Sequence, residues 1–200
     1  MRKYEFTDET KRFCGKVLHR IRAVRSFNGV KKGQLGGYVE SEDNLSHDDN
    51  AWVGENAVVC DDAMVCTSAR VSDLAWVCGK AIICGYAKIY GNARIGGNTE
   101  IGGYAEVGEN ARVVLYAMVF VIAMVFQNAW VFSNACLFGN ASIYGNAWVG
   151  GNTEIHGTWV FDEAIIYSNK DLEKKERKDA TRIERKINRR GGVCGAPIRR

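Results

Sequence analysis

From residue 51 to residue 155 one six-residue unit recurs without interruption, and no other property of the chain restricts its fold as strongly. An aliphatic residue, always Val, Ile or Leu, stands at 53, 59, 65 and every sixth position to 155, which makes eighteen hexads in register. Two residues ahead of each stands Ala, replaced by Thr at 99 and 153. Many hexads close on Gly-Asn, as in Tyr90-Gly91-Asn92-Ala93 and Tyr144-Gly145-Asn146-Ala147. A period of six matches neither the 3.6 of a helix nor the 2 of a strand, so the unit must be a structural repeat stacked on copies of itself.

Each hexad supplies a short strand and a corner. The large aliphatic fills an interior, the small Ala lets the chain bend beside it, and Gly or Asn tolerates the positive φ that a tight corner needs. Val53-Gly54-Glu55-Asn56-Ala57-Val58 and Ile95-Gly96-Gly97-Asn98-Thr99-Glu100 follow the order aliphatic, small or acidic, any, any, small, any. This resembles the hexapeptide-repeat family, whose members fold as left-handed parallel β-helices. The resemblance implies three hexads per triangular coil, hence six coils from 51 to 155, with neighbouring coils about 4.8 Å apart as paired strands are.

Residues 1–50 do not hold the register and are expected to form an N-terminal β cap. Tyr4-Glu5-Phe6, Val17 to Val24 and Gly37-Tyr38-Val39-Glu40 read as strands, with turns at Thr7-Asp8-Glu9, Phe27-Asn28-Gly29 and Lys32-Gly33. An uncapped end would offer unpaired backbone to other chains. The cap's wording, from Lys3-Tyr4-Glu5-Phe6-Thr7 to Asn50-Ala51-Trp52-Val53, resembles a phage and prophage subgroup of hexapeptide-repeat proteins and so implies an accessory role. After Ile155 the register slips by one residue, with Val160 and Ile166 taking the next slots, so the repeat body is expected over 51–167 and the total rises to between six and seven coils. Residues 168–200 read as a basic helical tail, with Ser168 or Asn169 as cap, a stripe of Leu172, Ala180, Ile183 and Ile187, and an end at Gly191-Gly192. From 170 onward the net charge is +7, which leaves the rest of the +4 chain near −3. Such a tail either docks on a neighbour or binds a polyanion such as nucleic acid; the docking role is preferred, because no recognition motif accompanies the charge.

Met1 to Phe6 lacks the apolar stretch of a secretory signal, so a cytoplasmic location is expected. The uncharged run Val113 to Phe126 is shorter than a membrane span and keeps hexad phase, so no membrane is expected. Seven cysteines, an odd number, do not make a disulfide framework in that setting. Cys60, Cys66, Cys78 and Cys84 point outward in two columns on different faces, and no metal site is expected of them.

Residues eighteen apart stack, which sorts the outward positions into columns. The first face carries Val58, Trp76, Arg94, Arg112, Trp130 and Trp148; the second Met64, Ile82, Glu100, Met118, Cys136 and Glu154; the third Trp52, Arg70, Lys88, Glu106, Met124 and Ser142. Trp76, Arg94, Arg112, Trp130 and Trp148 alternate π-faces with bidentate donors and make a candidate wall for a small anionic, nucleotide-like ligand. Between Val114 and Phe138 the outside is apolar on every face, which points to a homo-oligomer, with a trimer implied by the resemblance. Hexapeptide-repeat enzymes are mostly acyltransferases that use acyl-CoA and a His base. Here that reading would fall on His156; of the other two histidines, His19 and His47, the latter stands in the loop Asn44-Leu45-Ser46-His47-Asp48-Asp49, whose acidic residues are expected to favour its charged form. No loop interrupts the repeat to build an acceptor pocket, so a non-catalytic binding protein without cofactor is the preferred reading. The acyltransferase and a structural assembly module are the alternatives.

Overall fold

The computed structural model describes residues 2–190, with side chains described as far as Asp179. The chain forms a parallel β-solenoid of about seven turns, closed at its start by a β-hairpin and at its end by one helix. Residues 52–166 give twenty strands of two or three residues each. They sort into three sheets, one per face: a 10-stranded sheet that includes the cap (face 1), a 6-stranded sheet (face 2) and a 7-stranded sheet (face 3).

The pairing is parallel and eighteen residues apart, as in Trp76 with Arg94 and Arg94 with Arg112. Backbone N–H groups reach the next coil, as from Val58 N to Ala75 O at 2.9 Å and from Trp76 N to Ala93 O at 2.9 Å. Every repeat aliphatic and every repeat Ala is buried, which builds one core along the whole axis. Burial of each large aliphatic side chain contributes roughly 1.5–3 kcal/mol. Thr99 and Thr153 occupy Ala slots without an orphaned hydroxyl, because each Oγ1 donates to a corner carbonyl, Gly96 O or Gly150 O, at 2.7 Å.

The left-handed residue of each corner lies two places after the aliphatic. In Gly91-Asn92 and Gly145-Asn146 it is therefore the Gly, at φ 67° and 74°. The Asn turns its amide outward instead, and Asn92, Asn110, Asn128 and Asn146 form a ladder with steps of 3.1–3.2 Å.

The cap differs from expectation in one turn. Strand β1 runs Tyr4–Phe13 and pairs antiparallel with β2, Lys16–Ala23; Thr7-Asp8-Glu9 lies inside β1, at a register shift between Phe6 and Thr10, and the reversal falls at Cys14-Gly15. The hairpin gains a longer ladder this way than with an early turn. Strand β3, Leu35–Val39, pairs with β2 on one side and places Tyr38 and Val39 beside Val58 and Val59 on the other. Cap and solenoid therefore share face 1. Tyr4, Ile21, Phe27 and Val30 close the open end of the core, and the Tyr4 hydroxyl donates to Leu45 O at 3.0 Å.

At the far end the one-residue slip is present: Ile143 pairs with Val160 and Val149 with Ile166. Helix α1, Asn169–Arg190, starts after Ser168, whose Oγ meets Asp171 Oδ2 at 2.8 Å. Leu172 joins the core, and Asn169 Oδ1 accepts the Glu154 N–H at 2.9 Å, so the first turn of α1 lids the last coil. Ala180, Ile183, Ile187 and Gly191-Gly192 of the expected stripe and stop lie outside the residues whose side chains or backbone are described. Among the described residues no helix is long and apolar enough to cross a membrane.

Candidate functional site

Face 1 brings four of the five candidate wall residues into one open column. Arg94, Arg112, Trp130 and Trp148 occupy successive rungs, because their strands pair in register. The Arg112 guanidinium lies 4.4 Å from the centre of the Trp130 ring, and the Trp130 and Trp148 rings stack at 5.1 Å with only 8° between planes. Phe132 meets Trp148 edge-on, and Trp148 is 40% exposed. Neither arginine has a carboxylate partner among the described residues, so the wall carries two uncompensated cations. Trp76 stands apart. Phe13 of the hairpin meets its ring edge-on at 4.8 Å, and Leu18, Tyr38, Val58 and Cys60 complete a second apolar cluster there. The cap thus covers the start of the column, and Trp76 serves that junction.

The same junction takes in Cys60 and Cys78. Cys60 faces away from the solenoid interior but is buried by the hairpin, and burial pushes its thiol up to about 11. Donor atoms of Glu40, Cys60 and Asp61 lie within 4.8 Å of one another. The cation they face is Lys16, whose Nζ meets Glu40 Oε2 at 2.7 Å and Asp61 Oδ1 at 2.5 Å.

The three histidines pack against rings. His156 continues a face-2 stack of Phe120 and Phe138, at 5.2 Å from the Phe138 ring, and is exposed. His19 stacks on Phe6 at 5.0 Å. His47 stacks on Tyr4 at 4.1 Å, and its Nδ1 accepts the Lys3 N–H at 3.3 Å. The acidic loop was expected to favour the charged form of His47. The opposite holds: burial, together with Lys3 and Arg2, lowers its pKa more than Glu42 raises it.

Several surface features lie at the corners rather than in the strand columns. Leu115, Tyr116, Val121 and Ile122 are exposed at two consecutive corners of one coil and flank Met118 and Phe120 on face 2. Outward strand positions could be sorted by an eighteen-residue spacing, but the corner positions could have been sorted the same way. Doing so would have found them. Comparison of the chain with protein-family models and with curated proteins gives no match, so the functional reading rests on geometry and on the repeat itself.

Proposed function

We propose that the protein is a non-catalytic, oligomeric β-solenoid that binds a small anionic ligand bearing a planar ring on the Arg94, Arg112, Trp130 and Trp148 wall. The observation that carries this reading is the run of two carboxylate-free guanidiniums leading directly into two stacked indoles. A ring extends the indole stack while a phosphate or carboxylate takes the guanidinium donors. The non-catalytic part is supported by the histidines, each of which is engaged with an aromatic ring. Self-association is supported by the exposed apolar corners beside Met118 and Phe120, since a patch of that kind is covered in most soluble proteins.

Calorimetric titration with adenosine monophosphate and with adenosine tests the wall. The nucleotide should bind and the nucleoside should bind more weakly. Arg112→Ala removes one charge-assisted contact worth about 1.5–3 kcal/mol, a ten- to hundredfold loss in affinity. Unchanged affinity in an Arg94→Ala/Arg112→Ala double variant, with acyl transfer from acyl-CoA lost in His156→Ala, would replace this reading with the acyltransferase.

A further inference from the structure

A second groove lies on a different face and uses none of the wall residues. The chain between β2 and β3 reverses at Asn28-Gly29, both with positive φ (38° and 83°), and Phe27 and Val30 exchange backbone hydrogen bonds at 3.0 and 2.7 Å. This is the tight Asn-Gly hairpin geometry. Phe27 meets the Trp52 ring edge-on at 5.6 Å, which holds the turn over the start of face 3. Between turn and face is a groove of about 300 Å³ whose lining includes Asn28, Gln34, Trp52, Gly54, Glu55 and Arg70.

One unpartnered donor and two charges without an ion-pair partner among the described residues meet there. Trp52 is 3% exposed, and its indole Nε1–H is buried with no acceptor, an unusual state for a polar group out of water. Gly54 borders that nitrogen: a Cβ there would sit 3.7 Å from Nε1, in ordinary contact with it. Arg70 donates to the Asn28 carbonyl, and no carboxylate pairs with it among the described residues. Glu55 accepts the Asp73 N–H at 3.2 Å, yet it forms no ion pair with Arg70 although both line the groove. Opposite charges that share a groove without pairing are complementary to a ligand with both.

We propose that this groove binds a small zwitterion of the amino-acid class, with its carboxylate between Trp52 Nε1–H and the Arg70 guanidinium and its ammonium toward Glu55. The carboxylate satisfies the orphaned indole donor and supplies the counter-charge Arg70 lacks. The volume falls at the lower end of the range for small-molecule sites, which suits an amino acid.

The test follows the Trp52 indole ¹H–¹⁵N resonance of the full chain, assigned with Trp52→Phe, during titration with the twenty amino acids, acetate and inorganic phosphate. At least one amino acid should move it saturably at millimolar concentration. Arg70→Gln should weaken that binding ten- to hundredfold, the effect of one lost charge-assisted contact. Glu55→Gln should weaken the amino acid without weakening acetate. Gly54→Ala meets only ordinary contacts, so it should fold normally, place its methyl beside Nε1 and abolish the shift. Arg112→Ala on the other face should change nothing here, which separates this site from the wall. No shift with any amino acid, a shift insensitive to Gly54→Ala, or a response to phosphate alone that ignores Glu55→Gln would each overturn the proposal.

Discussion

Val121 and Leu115 adopt left-handed backbone, at φ 69° and 71°, in a chain that elsewhere gives many such corners to Gly. For an L-residue this conformation costs roughly 1–2 kcal/mol, and more of that range applies to a β-branched side chain. In the Val121 column, Gly85, Gly103, Gly139 and Gly157 occupy the equivalent corners. The side chains of Val121 and Leu115 are about half exposed, so the isolated protomer recovers little of the cost by burial. A second copy covering the patch would offset it. Val121→Gly should therefore leave the thermal midpoint of the solenoid unchanged or raise it, while it weakens self-association. Calorimetry and sedimentation on the same samples separate the two effects; association as strong as in the parent protein would refute the link.

The hairpin cap is held by ion pairs to carboxylates of both the cap and the first coils of the solenoid. Lys16 holds the Asp61 and Glu40 carboxyls below the usual carboxylate range, with the Gly79 N–H adding to Asp61 and the Asp61 N–H to Glu40. At the other edge burial of Asp49 opposes ionisation, but hydrogen bonds from Ala51, the fully buried Lys3 and Thr67 outweigh it and lower its pKa. A folded-state pKa below the unfolded value gives stability that is present above the unfolded value, about 4, and is lost as pH falls through the folded one. Hydrogen-exchange protection in β1 and β2 should accordingly show a shallow decline below about pH 6.5, as unfolding frees the buried His47 to take up a proton, and a steeper carboxylate-linked loss below about pH 4. Lys16→Met should flatten the part of that loss that comes from Asp61 and Glu40. An acid loss below about pH 4 that Lys16→Met leaves unchanged would contradict the assignment to Asp61 and Glu40.

The molecule as a whole is one continuous core with a short strand on each face of each coil, so a single buried charge affects several coils at once. Val119 is fully buried in the middle of the stack. Val119→Asp leaves a carboxylate without a partner among aliphatic side chains and should remove soluble protein altogether. Glu106→Lys loses the exposed pair with Lys88, at 2.8 Å, and sets two lysines on paired rungs at a solvent-exposed position, so it should change stability by only about 1 kcal/mol. Assembly belongs to this scale as well: sedimentation should find an oligomer at micromolar concentration, and Phe120→Glu should shift it toward the monomer. A stable monomer in the parent protein would remove the reason for the apolar belt.

The sequence by itself determined the solenoid, its registers and the one-residue slip after Ile155, because a strict six-residue period leaves one way to bury Val53, Val59, Val65 and their successors together. It also located the Arg112–Trp130–Trp148 column, since residues eighteen apart must stack once three hexads close a coil. Tertiary structure alone decided what lies over each column. Residues 1–50 follow no period, so nothing in the order of residues says that Phe13 covers Trp76, that Cys60 is buried beneath a hairpin, or that the Asn28-Gly29 turn roofs Trp52 and Arg70. The His47 expectation failed for the same reason: acidic neighbours in sequence set the sign of a charge effect, but burial against Tyr4 depends on a strand forty residues away and outweighs it.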